Sequence, residues 1–144
     1  MATTHDMKRS LLDTDIFSEV LKSRNSQVVG KAKSYRADFG CLTITTITVM
    51  EIVKGFQKSG QYARRDLFLR SLPLEEVLAF DTAAAEIAGR MYADLERNGQ
   101  TIGRADPMIA AVAVQHGLTL VTANTAHFER IQQAGYPLDL DNWR

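Results

Sequence analysis

Length, composition and charge restrict the protein to a few classes. The chain has 144 residues, enough for one domain that buries a core without disulfides or a structural metal. With 45% hydrophobic and 24% charged residues, it has the composition of a globular protein, not of a disordered or fibrous one. Lys and Arg balance Asp and Glu at 17 each, which argues against a surface that is basic throughout but leaves room for a local basic patch.

The sequence also indicates where the protein works. The lone Cys41 cannot form an internal disulfide, so a reducing compartment is expected. No apolar run reaches the length of a membrane span, and the polar start MATTHDMKRS lacks the apolar core of a signal peptide. We therefore expect a cytoplasmic protein without membrane contact. Residues 1–7 are expected to be a flexible extension, with Met7 as one candidate for an alternative start, and residues 8–144 a single domain.

Short β-rich segments alternate with helical ones along the chain. Strands are predicted for RSLLD ending at Asp13, CLTITT from Cys41, EVLAF ending at Phe80 and LTLVT ending at Thr122. Each strand is followed by helix-like sequence. This alternation predicts an α/β fold with a parallel sheet covered by helices on both faces.

Three of the helices have recognisable limits. Between Thr46 and Ser59, apolar residues recur at helical spacing and form a core-facing stripe. The next helix runs from an acidic cap at Asp81 to the stop signal at Asn98 and Gly99. The third is predicted from Asp106 to His116, with Asp106 as the N-cap, Pro107 at the first helical position and Gly117 just beyond the end.

Acidic residues fall where these strands and helices meet. Asp13 ends the first strand, Glu51 lies early in the helix after the second, Asp106 begins a helix and Asn124 follows the fourth strand. In a parallel sheet such positions converge on one edge. Three carboxylates in one pocket repel one another unless a divalent cation neutralises them, and oxygen ligands favour Mg²⁺ or Mn²⁺ over zinc.

Each of these residues also has a purely structural interpretation. Asp106 could simply cap its helix, and Glu51 could be a solvated surface residue. Asp13 or Asp15 could cap the first helix, as Asn124 or Thr125 could cap the last. The histidines show no metal-ligand spacing, so we place none of them in the predicted metal site; they are His5, His116 and His127. Spacing alone therefore supports a metal site only weakly.

Four segments together resemble the PIN-domain family and, within it, the VapC-type toxins of bacterial toxin–antitoxin pairs. They are LLDTDIF, ITTITVMEIVKGF, GRADPMIAAVAVQHGLTLVTANTAHFERI and LDLDNW, in this order and over nearly the whole chain. The resemblance implies a PIN-like three-layer α/β/α domain with a central, mainly parallel sheet over residues 8–144.

The resemblance also implies a site and an activity. Asp13, Glu51 and Asp106 would bind Mg²⁺ or Mn²⁺ and, with Asn124, would carry catalysis; supporting or substrate-binding roles fall to Thr14, Asp15, Arg104 and Thr122. A fourth acidic position of the family has no carboxylate here, which leaves the number of metal ions open. The implied function is that of a ribonuclease toxin that inhibits translation and growth. Its implied partners are RNA, with transfer RNA as one candidate, a VapB-like antitoxin and a second copy of the chain.

Parts of the sequence are also consistent with two other functions. The pair Asp13 and Asp15 resembles the motif of haloacid-dehalogenase-type phosphatases, but the late pair of acids that such enzymes need is not evident. A PIN-like domain that binds RNA or protein without cutting would be expected to lack at least one central acid. Because all three acids are present, cleavage is the preferred interpretation.

Overall fold

The computed structural model describes residues 7–103 and 105–144. Its strands are short and all their pairings are parallel. Hydrogen bonds join β1, β4 and β5 in one sheet and β2 and β3 in another; β1 lies alongside β2, so the strands follow one another across the layer in the order β3-β2-β1-β4-β5. The strands are β1 (Ser10–Leu12), β2 (Thr43–Thr45), β3 (Glu76–Leu78), β4 (Thr119–Val121) and β5 (Leu140–Asp141).

Helices connect the strands, as parallel pairing requires. Between β1 and β2 the chain forms two helices, because the left-handed Ser23 ends the first and the Asn25 side chain caps the second. The helices are α1 (Thr14–Lys22), α2 (Ser26–Phe39), α3 (Thr46–Lys58), α4 (Tyr62–Ser71), α5 (Thr82–Arg97), α6 (Asp106–His116) and α7 (Thr125–Gln133). A short 3₁₀ turn, Leu72–Leu74, follows α4.

Helices cover both faces of the sheet. Successive residues of a strand point to opposite faces, so Leu11 and Leu120 pack on one side while Leu12 and Val121 pack on the other. All four are fully buried, which requires a helical layer on each face. One core contains the inner faces of α5, α6 and α7, and the other those of α1 and α2. The predicted three-layer α/β/α fold is confirmed.

Most predicted elements occur at or near their predicted positions. All four predicted strands form, and α3 and α5 begin and end within one residue of their predicted limits. Helix α6 has the predicted bounds, but its N-cap was wrong: Ala105 occupies that position and Asp106 is the first helical residue. The sequence analysis did not set out α2, α4 and β5 as separate elements.

The predicted extension over residues 1–7 falls, apart from Met7, outside the described residues. Met7 itself is partly buried against the core that contains α1 and α2. Across the residues that are described, no helix is both long enough and apolar enough to cross a membrane.

Candidate active site

Asp13 lies directly after β1, at the carboxyl edge of the sheet. Its backbone N–H donates to the carbonyl of Val121 at 3.0 Å, and its carboxylate Oδ1 accepts the N–H of Ile16 at 2.9 Å. Asp13 is therefore the N-cap of α1, as the structural interpretation proposed. A cap does not need burial, however, and the Asp13 residue is only 6% exposed.

Burial perturbs Asp13 strongly. Loss of hydration raises the pKa of its carboxyl to about 6, and the negative charges of Asp15 and Asp106 add to the increase. Hydrogen bonds from the Thr122 side chain and the Ile16 N–H oppose it. The fully buried Thr122 is fixed in turn, because its Oγ1 accepts the backbone N–H of Asn124 at 3.0 Å. Thr122 thus supports Asp13 from the end of β4.

Glu51 reaches the same region from α3. Its Oε1 accepts the hydroxyl of Thr14 at 2.5 Å, and Thr14 Oγ1 also lies 3.0 Å from Thr48 Oγ1. Thr48 is fully buried, so this chain of hydroxyls is fixed from within the protein. Glu51 is therefore bound to the first turn of α1 rather than free in solvent. The sequence analysis named Thr14 as a supporting residue but missed Thr48, which only the packing of α3 against α1 reveals.

Asp106 does not behave as a helix cap. No side-chain hydrogen bond caps α6, and Asp106 Oδ2 lies 3.1 Å from Nδ1 of His127 in α7. Burial raises the pKa of Asp106 above its usual range; His127 lowers it, whereas the charges of Glu51 and Asp15 raise it further. The carboxylate is thus turned toward the other acids and a histidine, which the capping interpretation does not explain.

His127 is a part of the site that the sequence analysis missed. Its Nε2 accepts the N–H of Gly103 at 3.4 Å, which leaves the proton of a neutral ring on Nδ1, facing Asp106. The contact is a close electrostatic one, since its alignment falls short of a full hydrogen bond. Histidine spacing could not reveal this role, but the position of His127 in the first turn of the helix after the fourth strand was a usable signal.

The remaining predicted site residues are exposed or lie outside the described part of the chain. Asn124 is exposed, but its backbone links two site residues: its N–H donates to Thr122 and its carbonyl accepts the N–H of His127 at 3.1 Å. Asp15 is exposed in the first turn of α1 and acts on Asp13 and Asp106 through its charge. Arg104 lies outside the described residues.

The donor set fits a divalent cation. Carboxylate oxygens are hard ligands, and a cation would relieve the mutual repulsion that helps raise the pKa values of Asp13 and Asp106. Within residues 7–103 and 105–144, no three acidic, histidine or cysteine side chains already form a metal-ligand cluster. The residues that would hold the ion are Asp13, Glu51 and Asp106, each from a different element and each with its own supporting side chain.

Similarity to known proteins covers most of the chain. The PIN domain family model matches residues 10–133. The tRNA(fMet)-specific endonuclease VapC of Shigella flexneri is 33% identical over 126 residues, which are 87% of this chain and 93% of that protein. Ribonuclease VapC2 of Haemophilus influenzae is 32% identical over 95% of this chain and 99% of its own length.

Solved structures agree with these relatives. A chain in the crystal structure of DNA-bound VapBC from Salmonella typhimurium superposes with a TM-score of 0.80 at 31% identity, over 96% of this chain and all of that one. A chain of the FitAcB complex from Neisseria gonorrhoeae gives a TM-score of 0.74 at 30% identity, over 92% and 96% of the two chains. The protein therefore belongs to the PIN domain family and, within it, to the VapC group.

Proposed function

We propose that this protein is the toxin of a VapBC-type toxin–antitoxin pair and that it hydrolyses RNA phosphodiester bonds in the cytoplasm with Mg²⁺ or Mn²⁺. One observation carries the proposal: Asp106 at the start of α6 interacts through its charge with Asp13, which follows β1, and with Glu51 in α3, and each of these three carboxylates has a separate supporting side chain. Relatives that carry the names of ribonucleases and a tRNA endonuclease support RNA, with transfer RNA as one candidate, as the substrate.

Some side chains of the site would bind the ion, and others orient the side chains that bind it. Asp13, Glu51 and Asp106 would hold the divalent ion, which supplies an activated water and neutralises charge on the scissile phosphate. Thr122 orients Asp13 and Thr14 orients Glu51 through their hydroxyls. His127 and the exposed Asn124 lie at the same edge of the sheet, at the start of α7.

Two alternatives are less consistent with this geometry. A domain that only binds RNA or protein has no need of carboxylates whose pKa values are raised by burial and by neighbouring acids. A phosphatase would use Asp13 as a nucleophile, yet its Oδ1 is engaged by the Ile16 N–H and its residue is almost fully buried. Metal-assisted hydrolysis requires only that these oxygens face a cation.

Asp106→Asn tests this proposal. Because Asp106 caps nothing, the change should leave α6 intact, while it removes one charge and one strong ligand. We expect cleavage of transfer RNA to fall by at least about a hundredfold at an almost unchanged melting temperature. The wild type should lose cleavage in EDTA and regain it with excess Mg²⁺ or Mn²⁺.

Asp81→Asn is the matched control. Asp81 caps α5 through the Ala84 N–H and accepts from Gln115, which lies nine residues beyond Asp106 in α6, or about 14 Å along the helix. This variant should retain full activity. Undiminished cleavage by the wild type in EDTA, or by folded Asp106→Asn, would refute the metal mechanism.

The antitoxin is the second half of the proposal. Chains similar to this one occur in solved complexes titled VapBC and FitAcB. We propose that a small VapB-like protein binds this chain and blocks its ribonuclease activity. Co-expression with the product of an adjacent small gene should restore growth and yield a stable complex on purification. Growth arrest that persists despite a complex of the two proteins would contradict inhibition by that partner.

A further inference from the structure

The chain after β5 returns to the edge that carries the acids. β5 is parallel to β4, which is parallel to β1, so the carboxyl ends of these strands lie side by side. Asp13 follows β1, Thr122 follows β4 and residues 142–144 follow β5. The Thr122 N–H donates to the carbonyl of Asp141 at 2.9 Å, which fixes this alignment. Topology therefore brings Arg144 to the candidate active site.

Arg144 is held in place by its neighbours. Trp143 is 1% exposed, and its ring centroid lies 5.8 Å from that of the buried Tyr35. The N–H of Arg144 donates to Asn142 Oδ1 at 2.9 Å. The backbone of Arg144 is thus anchored, so the fold determines the point from which its side chain extends.

The guanidinium lies over α1. Its Nε donates to Glu19 Oε2 at 3.2 Å and its Nη2 to Glu19 Oε1. Glu19 is four residues after Asp15, so both lie on one face of the helix that Asp13 caps. The Arg144 side chain is still 49% exposed, which leaves part of this permanently charged group open to a ligand. The hydrogen bond to Glu19 raises the pKa of Arg144, and the charges of Asp15 and Asp13 add to the increase.

An acidic site must still attract an anionic substrate. Asp13, Asp15, Glu51 and Asp106 all repel RNA phosphates, and a bound divalent ion offsets this repulsion only in part. A guanidinium at the rim supplies parallel N–H donors that match phosphate oxygens. The only partner the structure gives the Arg144 guanidinium among the described residues is Glu19, with which a phosphate can compete.

We propose that Arg144 is a substrate-binding residue that contacts an RNA phosphate next to the scissile bond, and that Glu19 holds its guanidinium ready in the free protein. This inference rests on the proposed ribonuclease function. A purely structural alternative is that the pair only ties the end of the described chain to α1. The two interpretations differ in what the partner residues do when they are changed separately.

Arg144→Gln and Glu19→Gln form the test. Both break the same ion pair, so a structural tie predicts equal losses of thermal stability and activity. Our proposal predicts opposite effects on RNA. Arg144→Gln should raise the KM for transfer RNA about tenfold with little change in kcat, because one charged contact is lost. Glu19→Gln should leave KM unchanged or lower it, because it frees the guanidinium and removes a negative charge.

Salt dependence provides a second readout. Fluorescence anisotropy with labelled transfer RNA in EDTA, where cleavage stops, gives the Kd at several KCl concentrations. Loss of one phosphate contact should reduce the slope of log Kd against log [KCl] by about 1. Arg9→Gln is the matched control, since Arg9 pairs with Glu76 at 3.3 Å on the exposed surface and precedes β1 at the opposite edge. Its slope should equal that of the wild type.

The outcomes are distinct. Equal changes in KM for Arg144→Gln and Glu19→Gln, or a salt slope that Arg144→Gln leaves unaltered, would overturn the assignment of Arg144 while the ribonuclease proposal stands. An equal loss of slope in Arg9→Gln would show an effect of overall charge and would also overturn it. A wild type that neither binds nor cleaves transfer RNA or total cellular RNA would refute both proposals.

Discussion

Replacing Asp13 by Asn should make the cation-free protein more stable while it disables the active site. The asparagine has nearly the same shape, and its side-chain oxygen can still accept the Ile16 N–H that Asp13 Oδ1 accepts at 2.9 Å. The start of α1 should therefore survive. What the substitution removes is a negative charge on a residue that is only 6% exposed.

The size of the effect follows from linkage. Burial raises the Asp13 pKa from 3.8 to about 6, so the folded protein binds this proton more tightly than the unfolded chain. The contribution of Asp13 to stability is therefore greatest below about pH 4 and decreases as the pH rises through about 6, by roughly 3 kcal/mol in total. Asparagine does not titrate and escapes this loss. Allowing for a weaker contact with Thr122, we expect a gain of about 1–3 kcal/mol at neutral pH, or roughly 3–10 °C in Tm.

A divalent cation should reverse the order of stability of the wild type and Asp13→Asn. Binding to the folded state alone stabilises the wild type in proportion to the logarithm of cation concentration over Kd. Asp13→Asn lacks one of the proposed ligands and should gain much less. The wild type should thus show the larger increase in Tm on going from EDTA to millimolar Mg²⁺ or Mn²⁺, and only the wild type should cleave RNA efficiently.

Thermal melting of both proteins in EDTA and in Mg²⁺, at neutral pH and near pH 4, measures these differences. Asp81→Asn is the control, because Asp81 is also an N-cap but is exposed, and the Ala84 N–H and Gln115 hold its pKa below the usual range. That variant should gain no stability at neutral pH. If Asp13→Asn melts below the wild type in EDTA at neutral pH, the argument from the buried charge is wrong.

Three further predictions address the rest of the molecule. His127→Ala should weaken Mn²⁺ binding, measured by calorimetry, and reduce cleavage about 10–100-fold at nearly constant Tm, because the His127 side chain supports the proposed ligand Asp106. An unchanged Mn²⁺ affinity would contradict this role. Glu75→Ala should lower the free energy of unfolding, measured by urea titration, by roughly 2–3 kcal/mol and leave kcat unchanged. The reason is that the Glu75 side chain is 7% exposed and accepts hydrogen bonds from both the Arg36 guanidinium and the Leu42 N–H. An unaltered urea midpoint would disprove this prediction. Light scattering at micromolar concentration should give the mass of two chains, and a monomer would contradict the homodimer that the resemblance to VapC-type toxins implies.

The sequence predicted the strands well because their residues obey simple rules. Leu11, Leu12, Leu120 and Val121 form short apolar runs between helical segments, and such runs are typical of strands buried on both faces. Helix α4 was harder to place, since Phe68 is its one buried residue and its exposed face includes Leu67. β5 has two residues, too few to show any periodicity.

The site was less predictable because contacts between distant segments decide it. The sequence placed Asp13, Glu51 and Asp106 near one edge, but local rules assigned Asp106 to a cap. The structure turns its carboxylate to His127, which is 21 residues away in the sequence and belongs to another helix. Thr48 was missed for the same reason: its role depends on how α3 packs against α1.

The disagreement at Asp106 is itself informative about function. Local rules of folding would surround a buried carboxylate with a basic partner or with several N–H donors, which lower its pKa. Asp13 and Asp106 have raised pKa values despite the Ile16 N–H on one and His127 beside the other, because burial outweighs these partners and neighbouring acids add to the increase. Elsewhere the same chain gives the buried Glu75 a bidentate Arg36 and a backbone N–H. The chain thus compensates the Glu75 side chain fully but leaves Asp13 and Asp106 with an uncompensated cost of burial beside other acids at a single edge, and a bound cation is the natural means of offsetting it.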